Sequence, residues 1–143
     1  MAEVKYESKI VSNPSSVEAV YGACSNLQNL ERLREVMPKD RIQELELQED
    51  AIRFKVDGLG QKISIRIIAK EENDYVKYGI EDAPVDGNFW IQFKSVGAHE
   101  TRIRLTVKVD LPLMFKALIG SKLQDAIDQA ADMIAKLPFE EIK

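Results

Sequence analysis

The chain has 143 residues, 45% of them hydrophobic, enough for one globular domain with a real core, and residues 1–143 read as a single domain. Its 20 basic and 24 acidic side chains leave a net charge of −4, which argues against a dedicated nucleic-acid binder, because such proteins carry a basic excess. Cys24 is the single cysteine, so an intrachain disulfide and a cysteine-based zinc site are excluded, a usage that fits a reducing compartment.

The first residues, MAEVKYESK, are charged and lack an apolar centre, so neither a leader nor an anchor is expected there. No apolar run approaches the ~20 residues that span a bilayer, and a cytoplasmic location is expected. Val4 to Val11 alternates, with Val4, Tyr6, Ser8 and Ile10 on one face and Lys5, Glu7 and Lys9 on the other, the period of a half-buried strand. Ser15 and Glu18 have the spacing of a capping box, and Val17, Val20, Tyr21 and Cys24 share one face of a first short helix. Asn26 reads as a fresh N-cap, and Leu27, Leu30, Leu33 and Met37 mark a second short helix that Pro38 ends.

From Ile42 to Leu111 the period stays near two. Turn chemistry interrupts it at Gln48-Glu49-Asp50, Asp57-Gly58-Leu59-Gly60, Glu72-Asn73-Asp74, Asp82 to Gly87 and Gly97-Ala98-His99, which gives six strands in succession. Such short connections require antiparallel neighbours, since a parallel crossover takes a dozen or more residues. The inward sets are Leu45 and Leu47; Ile52, Phe54 and Val56; Ile63, Ile65 and Ile67; Val76, Tyr78 and Ile80; Phe89, Ile91 and Phe93; and Ile103, Leu105, Val107 and Val109.

Leu113 to Leu137 then reads as one helix, opened by Pro112 and stopped by Pro138, about 37 Å long at the usual rise. Phe115, Ile119, Leu123, Ala126, Ile127, Ala130, Ile134 and Leu137 fall on one stripe, with Ser121, Asp125, Asp128, Asp132 and Lys136 opposite. A strongly twisted sheet wrapped around this helix is the simplest way to bury both apolar surfaces.

That order, a strand, two short helices, six antiparallel strands and a long C-terminal helix, resembles the helix-grip or SRPBCC superfamily from Lys5 to Leu137. The group includes START lipid-transfer domains, birch-pollen-allergen-like proteins and polyketide cyclase or dehydrase relatives. The resemblance implies an α+β fold: a seven-stranded antiparallel curved sheet around the C-terminal helix, with two short helices between strands 1 and 2. It also implies a cavity for an apolar small molecule between sheet and helix, with the loop Asp57-Gly58-Leu59-Gly60 near one end. Superfamily members include carriers, receptors, enzymes and cochaperones, so the fold leaves the function open.

The residues that could carry chemistry are few. His99, the single histidine, lies in the tight turn Val96 to Glu100 without a second histidine or a cysteine beside it, and reads as an exposed turn residue. Cys24 reads as a small buried apolar residue. Glu44, Glu46, Asp125, Asp128 and Asp132 fall on solvent faces, where a carboxyl group lacks the desolvation a general acid needs. The loop Asp57 to Gly60 joins two strands and opens no helix, so it is not a phosphate cradle.

Lys116 enters the apolar arc of the last helix, either to snorkel its ammonium into water or to meet an anionic head group at a cavity mouth. Met114 and Leu118 form an apolar pair on the charged side, a candidate for a lid, a homodimer contact or a membrane contact. The outward sheet face gathers Lys5, Lys9, Arg53, Lys55, Lys62, Arg66, Arg102, Arg104 and Lys108, with Trp90, Gln92 and Lys94, and reads as a solvated face with cross-strand ion pairs and Arg packed on Trp90.

The expected function is binding or transport of a small apolar, lipid-like or aromatic molecule. The expected lining is Phe54, Val56, Ile65, Ile67, Tyr78, Ile80, Phe89, Ile91, Phe93, Leu105, Val107, Phe115, Ile119 and Leu123, with Tyr6, Ser8 and Tyr78 as polar contacts and Lys116 at the mouth. No cofactor and no metal are expected. The alternatives are a polyketide cyclase or dehydrase-like enzyme, in which Tyr78 or Tyr6 positions a carbonyl, and a ligand-free interaction module.

Overall fold

The computed structural model describes residues 2–26, 42–48, 50–56, 62–81, 87–111 and 113–141. The elements are β1 (Ala2–Glu7), β2 (Val11–Asn13), α1 (Val17–Ser25), β3 (Ile42–Leu47), β4 (Ala51–Val56), β5 (Lys62–Glu71), β6 (Tyr75–Glu81), β7 (Gly87–Gly97), β8 (Glu100–Leu111), α2 (Leu113–Lys136) and a closing 3₁₀ turn (Phe139–Glu141). The predicted second short helix, Leu27 to Met37, and the loop Asp57 to Gly60 lie outside the described residues.

The sheet is antiparallel throughout, in the order β1-β8-β7-β6-β5-β4-β3, and β2 pairs with β8 in the lane that β1 begins. It is a seven-lane curved sheet, as the hydrophobic pattern requires. The predicted first strand is broken, however. Glu7 pairs with Thr106 and Val11 with Ile103, so four steps along one strand match three along its partner. The extra residue is a bulge.

Ser8 holds that bulge together. Its N–H donates to the Leu105 carbonyl at 2.9 Å, and its Oγ accepts the Leu105 N–H at 2.9 Å while donating to the Lys9 carbonyl at 2.8 Å. Side-chain direction alternates along a strand, so one inserted residue exchanges the faces beyond it. Ile10, expected inside, is instead 63% exposed, and Asn13 is fully buried.

The buried Asn13 closes the end of α2. Its Nδ2 donates to the carbonyls of Ile134, Ala135 and Leu137 at 2.8, 3.1 and 3.0 Å, at the terminus where a helix runs out of its own i→i−4 donors. Its Oδ1 has no partner among the described residues. Earlier along the helix, Gln124 Nε2 donates to the Glu7 carbonyl, and Asp128 and Asp132 accept from the backbone N–H and the ammonium of Lys9. Asp128 and Asp132, expected on the solvent side, therefore face the bulge. The buried stripe is turned accordingly: Ala131 is fully buried and Ala126 is exposed, while Ile127 and Leu137 are buried as expected.

The cap of α1 also differs from expectation. Ser16, not Ser15, is the N-cap, and its side chain accepts the Ala19 N–H. The third helical position is Ala19, so no local glutamate can complete a capping box. Glu140 replaces it from the far end of the chain, accepting the Ser16 N–H at 2.7 Å and lying 3.0 Å from His99 Nδ1. Ser15 is buried, and its carbonyl accepts the Thr101 hydroxyl. Phe139, past the proline that ends the helix, is buried in the main core.

That core joins Val17, Val20, Ala23 and Cys24 of α1 to Val76, Tyr78, Ile91, Phe93, Ile103 and Leu105 of the sheet and to Ile127 and Ala131 of α2. Tyr78 is the cross-brace: its hydroxyl donates to the Cys24 carbonyl at 2.7 Å, and its ring stacks on Phe89 at 5.2 Å. Gly87 marks a close approach, since a Cβ there would lie 2.7 Å from Val109 Cγ1.

Two tests follow from this packing. Asn13→Ala removes the side-chain donor from three carbonyls, of which Ile134 and Leu137 keep the N–H groups of Leu137 and Phe139, and it also removes the unpaired Oδ1, so a net loss of about 1–3 kcal/mol is expected in urea unfolding. Asn13→Asp turns a carboxylate on those oxygens and should cost more; equal stability of all three proteins would refute the cap. Burial pushes the Cys24 thiol up to about 12 from 9.0, and burial also raises Tyr78 well above its ordinary value. Both groups keep their protons in the folded state longer than in the unfolded one, so their stabilisation is complete below about pH 9 and is lost as pH rises toward 12. In Cys24→Ala, the decline of unfolding free energy above pH 9 should be shallower by about 1.4 kcal/mol per pH unit.

Candidate functional site

A rung of side chains crosses the inner face of the sheet where β1, β8, β7, β6 and β5 pair in register: Tyr6 opposite Val107, Val107 opposite Phe89, Phe89 opposite Tyr78, and Tyr78 opposite Ile67. Above one end of this rung lies a cavity of about 210 Å³, lined by Tyr6, Phe89, Leu105 and Val107 from the sheet and by Leu123, Ala126, Ile127 and Ala130 from α2. It sits at the junction of two packed groups. The main core lies on one side, and Val4 with Val109, covered by Tyr6, Ile80, Val107 and Leu123, lies on the other.

The helix supplies alanines where the sheet supplies Phe89, and short side chains leave the space that larger ones would fill. Ala126, which the helical stripe turns toward the core, is exposed where it lines the cavity. Tyr6 is the one polar side chain in the lining, and its hydroxyl makes no hydrogen bond among the described residues.

The expected lining residues do not all meet at this cavity. Tyr6, Phe89, Leu105, Val107 and Leu123 meet at the cavity. Tyr78, Ile91 and Phe93 are buried in the main core, Ile65 and Ile67 pack against it, and Ile80 covers the smaller group. Ser8 and Tyr78 are polar residues whose hydroxyls are engaged, one in the bulge and the other on Cys24. The side chains of Phe54, Val56, Phe115, Lys116, Ile119, Met114 and Leu118 lie outside the described residues. Ala126, Ile127 and Ala130 join the lining from the helix; their place on the apolar stripe was the available signal, and their small size marks the gap.

A depression of about 280 Å³ on the outer face of the sheet is larger. Ile10, Gln92, Phe93, Lys94, Arg102, Ile103 and Arg104 line it, so three cations stand in the wall of a shallow outer hollow, away from the gap between sheet and helix. His99 is exposed, Cys24 is buried, and no group of three or more metal-ligating side chains occurs among the described residues. Among those residues no helix is long and apolar enough to cross a membrane.

No protein-family profile and no curated protein sequence matches the chain. Solved structures do. Norcoclaurine synthase from Thalictrum flavum, solved in complex with dopamine and hydroxybenzaldehyde, is similar with a TM-score of 0.76 over 99% of this chain and 90% of its own, at 12% identity. The Zhui aromatase/cyclase from Streptomyces sp. R1128 has a TM-score of 0.66, covering 94% and 92% of the two chains at 14% identity. A START superfamily protein from Mycobacterium smegmatis has a TM-score of 0.56, covering 92% and 98% at 15% identity. At such identities the likeness speaks for the path of the chain and not for its chemistry. Strand order, the C-terminal helix on the inner face and these neighbours agree: the chain has a helix-grip fold.

Proposed function

We propose that the protein binds or carries a small apolar molecule, aromatic or lipid-like, in the gap between α2 and the inner face of the sheet. One observation carries this reading: an apolar cavity of about 210 Å³ in whose described lining Tyr6 is the one polar side chain, its hydroxyl making no hydrogen bond among the described residues. An apolar cavity of about 150 Å³ is enough to take up benzene, so this volume suits one aromatic ring with a short substituent or a short length of acyl chain. Shape would select the ligand, and the Tyr6 hydroxyl would donate to a carbonyl or ether oxygen. The neighbours support this choice only through their shared architecture, with one of them holding aromatic molecules. We place the protein in the cytoplasm, in keeping with its single buried thiol.

A second reading shares the site. A hydroxyl donated to a substrate carbonyl polarises it, as a cyclase or dehydrase would require, and Tyr6 is the lining residue positioned to do so. Tyr78 is less suited, because its proton is committed to Cys24.

Toluene and benzaldehyde, followed by calorimetry and by mass spectrometry of native protein, separate shape from hydrogen bonding. Both should bind to the wild type, and Ala130→Leu should abolish both by filling the cavity. Tyr6→Phe should weaken benzaldehyde about two- to tenfold and leave toluene unchanged, in line with one hydrogen bond of ordinary strength. If neither compound binds, or if Ala130→Leu binds both as well as the wild type, the cavity is not a ligand site.

A further inference from the structure

We propose that the outer face of β7 and β8 is a docking surface for an anionic lipid bilayer. This surface is separate from the cavity and uses none of its lining side chains except through the shared strands.

Elsewhere on the outer face, cations meet acids. Arg66 on β5 bonds Glu81 and Asp50 at 3.0 and 3.2 Å, and Lys5 on β1 lies 3.7 Å from Glu7. The β7–β8 region departs from that rule. Lys94 and Arg102 are directly opposite one another in the register, an arrangement of like charges that costs stability when nothing neutralises it. Neither has an ion-pair partner among the described residues. The nearby Glu100 is bonded by the Ser12 hydroxyl at 3.3 Å, and Glu7 is taken by Arg104 at 3.1 Å. Lys77 and Lys108 lie over the Trp90 ring, 5.0 and 5.6 Å from its centroid, also without a carboxylate partner among the described residues. A chain of net charge −4 has thus collected unneutralised cations on one face.

Aliphatic side chains stand among these cations. The bulge at Ser8 turns Ile10 outward, 63% exposed, into the depression lined by Gln92, Lys94, Arg102 and Arg104. At the other end Ile68, displaced by the irregularity between Ile67 and Ala69, is 52% exposed and covers the outer side of Gly79. Cations surrounding isolated aliphatic side chains suit a bilayer, where the charges meet lipid phosphates and the aliphatic groups enter the head-group boundary.

Single-stranded nucleic acid fits less well. It needs an aromatic ring with a free face for base stacking, and Trp90 is half-buried with lysines over it. Nucleic acid also offers nothing to an exposed isoleucine.

Flotation with vesicles tests the proposal directly. The wild type should rise with vesicles of phosphatidylcholine containing phosphatidylserine, should stay behind with phosphatidylcholine alone, and should be released by high salt. Each cation near an anionic leaflet is worth roughly fivefold in partitioning, so Lys94→Gln with Arg102→Gln should reduce it about 25-fold. Ile10→Ser should reduce it severalfold at unchanged charge, with circular dichroism confirming a folded chain. Ala130→Leu should float like the wild type, which keeps this test separate from that of the cavity. Failure of the wild type to float, undiminished flotation of the double variant, or retention of a 20-nucleotide single strand in preference to vesicles would overturn the proposal.

Discussion

The structure turns on one extra residue in the lane that β1 and β2 share beside β8. A bulge normally leaves a backbone group without a ladder partner, and here the Ser8 hydroxyl fills that role by accepting from Leu105. Because the pairing is restored by Val11, the strand continues with its faces exchanged. Three consequences share that cause. The Lys9 N–H, turned out of the ladder, becomes a donor for Asp128; Asn13 points into the interior, where it closes α2; and Ile10 points out. Without the insertion, Asn13 would occupy the outer face and the end of α2 would lose its cap.

The two kinds of contact that hold α2 differ in strength and place. Burial of Ile127, Ala131 and Leu137 takes apolar area out of water at about 25 cal/mol per Å². The bonds from Gln124, Asp128 and Asp132 to Glu7 and Lys9 are exposed or nearly so, and such contacts contribute little against water. They set the height and rotation of the helix over β1, while the buried side chains anchor it. The cavity lies beside this packing, lined from the helix by Leu123, Ala126, Ile127 and Ala130. A ligand placed there completes a packing that the side chains leave unfinished.

Much of this architecture is written in period. Alternation assigns Ile65 and Ile67 of β5 and the inward side chains of β6 to β8 correctly, because those strands have one face in a core and the other in water. The length of α2 is equally legible from its two flanking prolines. What the sequence conceals is phase. A bulge has no compositional mark in Glu7-Ser8-Lys9-Ile10, since its cause is a hydrogen bond to a strand nearly a hundred residues away. For the same reason the acid that caps α1 cannot be found near Ser16; it is Glu140, brought there by tertiary folding. On α2, a step of 100° per residue orders the stripe but cannot say which edge faces β1, and Asp128 and Asp132, on its polar side, meet Lys9 while staying partly open to water. Trp90 is another such case: cations do cover it, but they are lysines from the adjacent strands rather than an arginine. Of the site, the sheet half was legible and the alanine half was visible only as core.

The two surfaces of β8 restrict how this protein can change. Leu105 and Val107 look into the cavity while Arg104, Thr106 and Lys108 look out, and the strand is paired on both sides. Any shift of its backbone would move both sets together. Thr106 and Arg104 are further tied to Gln92 through its Oε1, so the outer face is braced as well as charged. On α2 the constraint is looser. Ala126 and Ala130 border the gap and carry no hydrogen bond beyond those of the helix backbone, so a larger side chain there alters the cavity without touching the ladder. Volume and selectivity are therefore set most freely from the helix, and the sheet fixes the position of Tyr6, the one group in the described lining able to orient what binds.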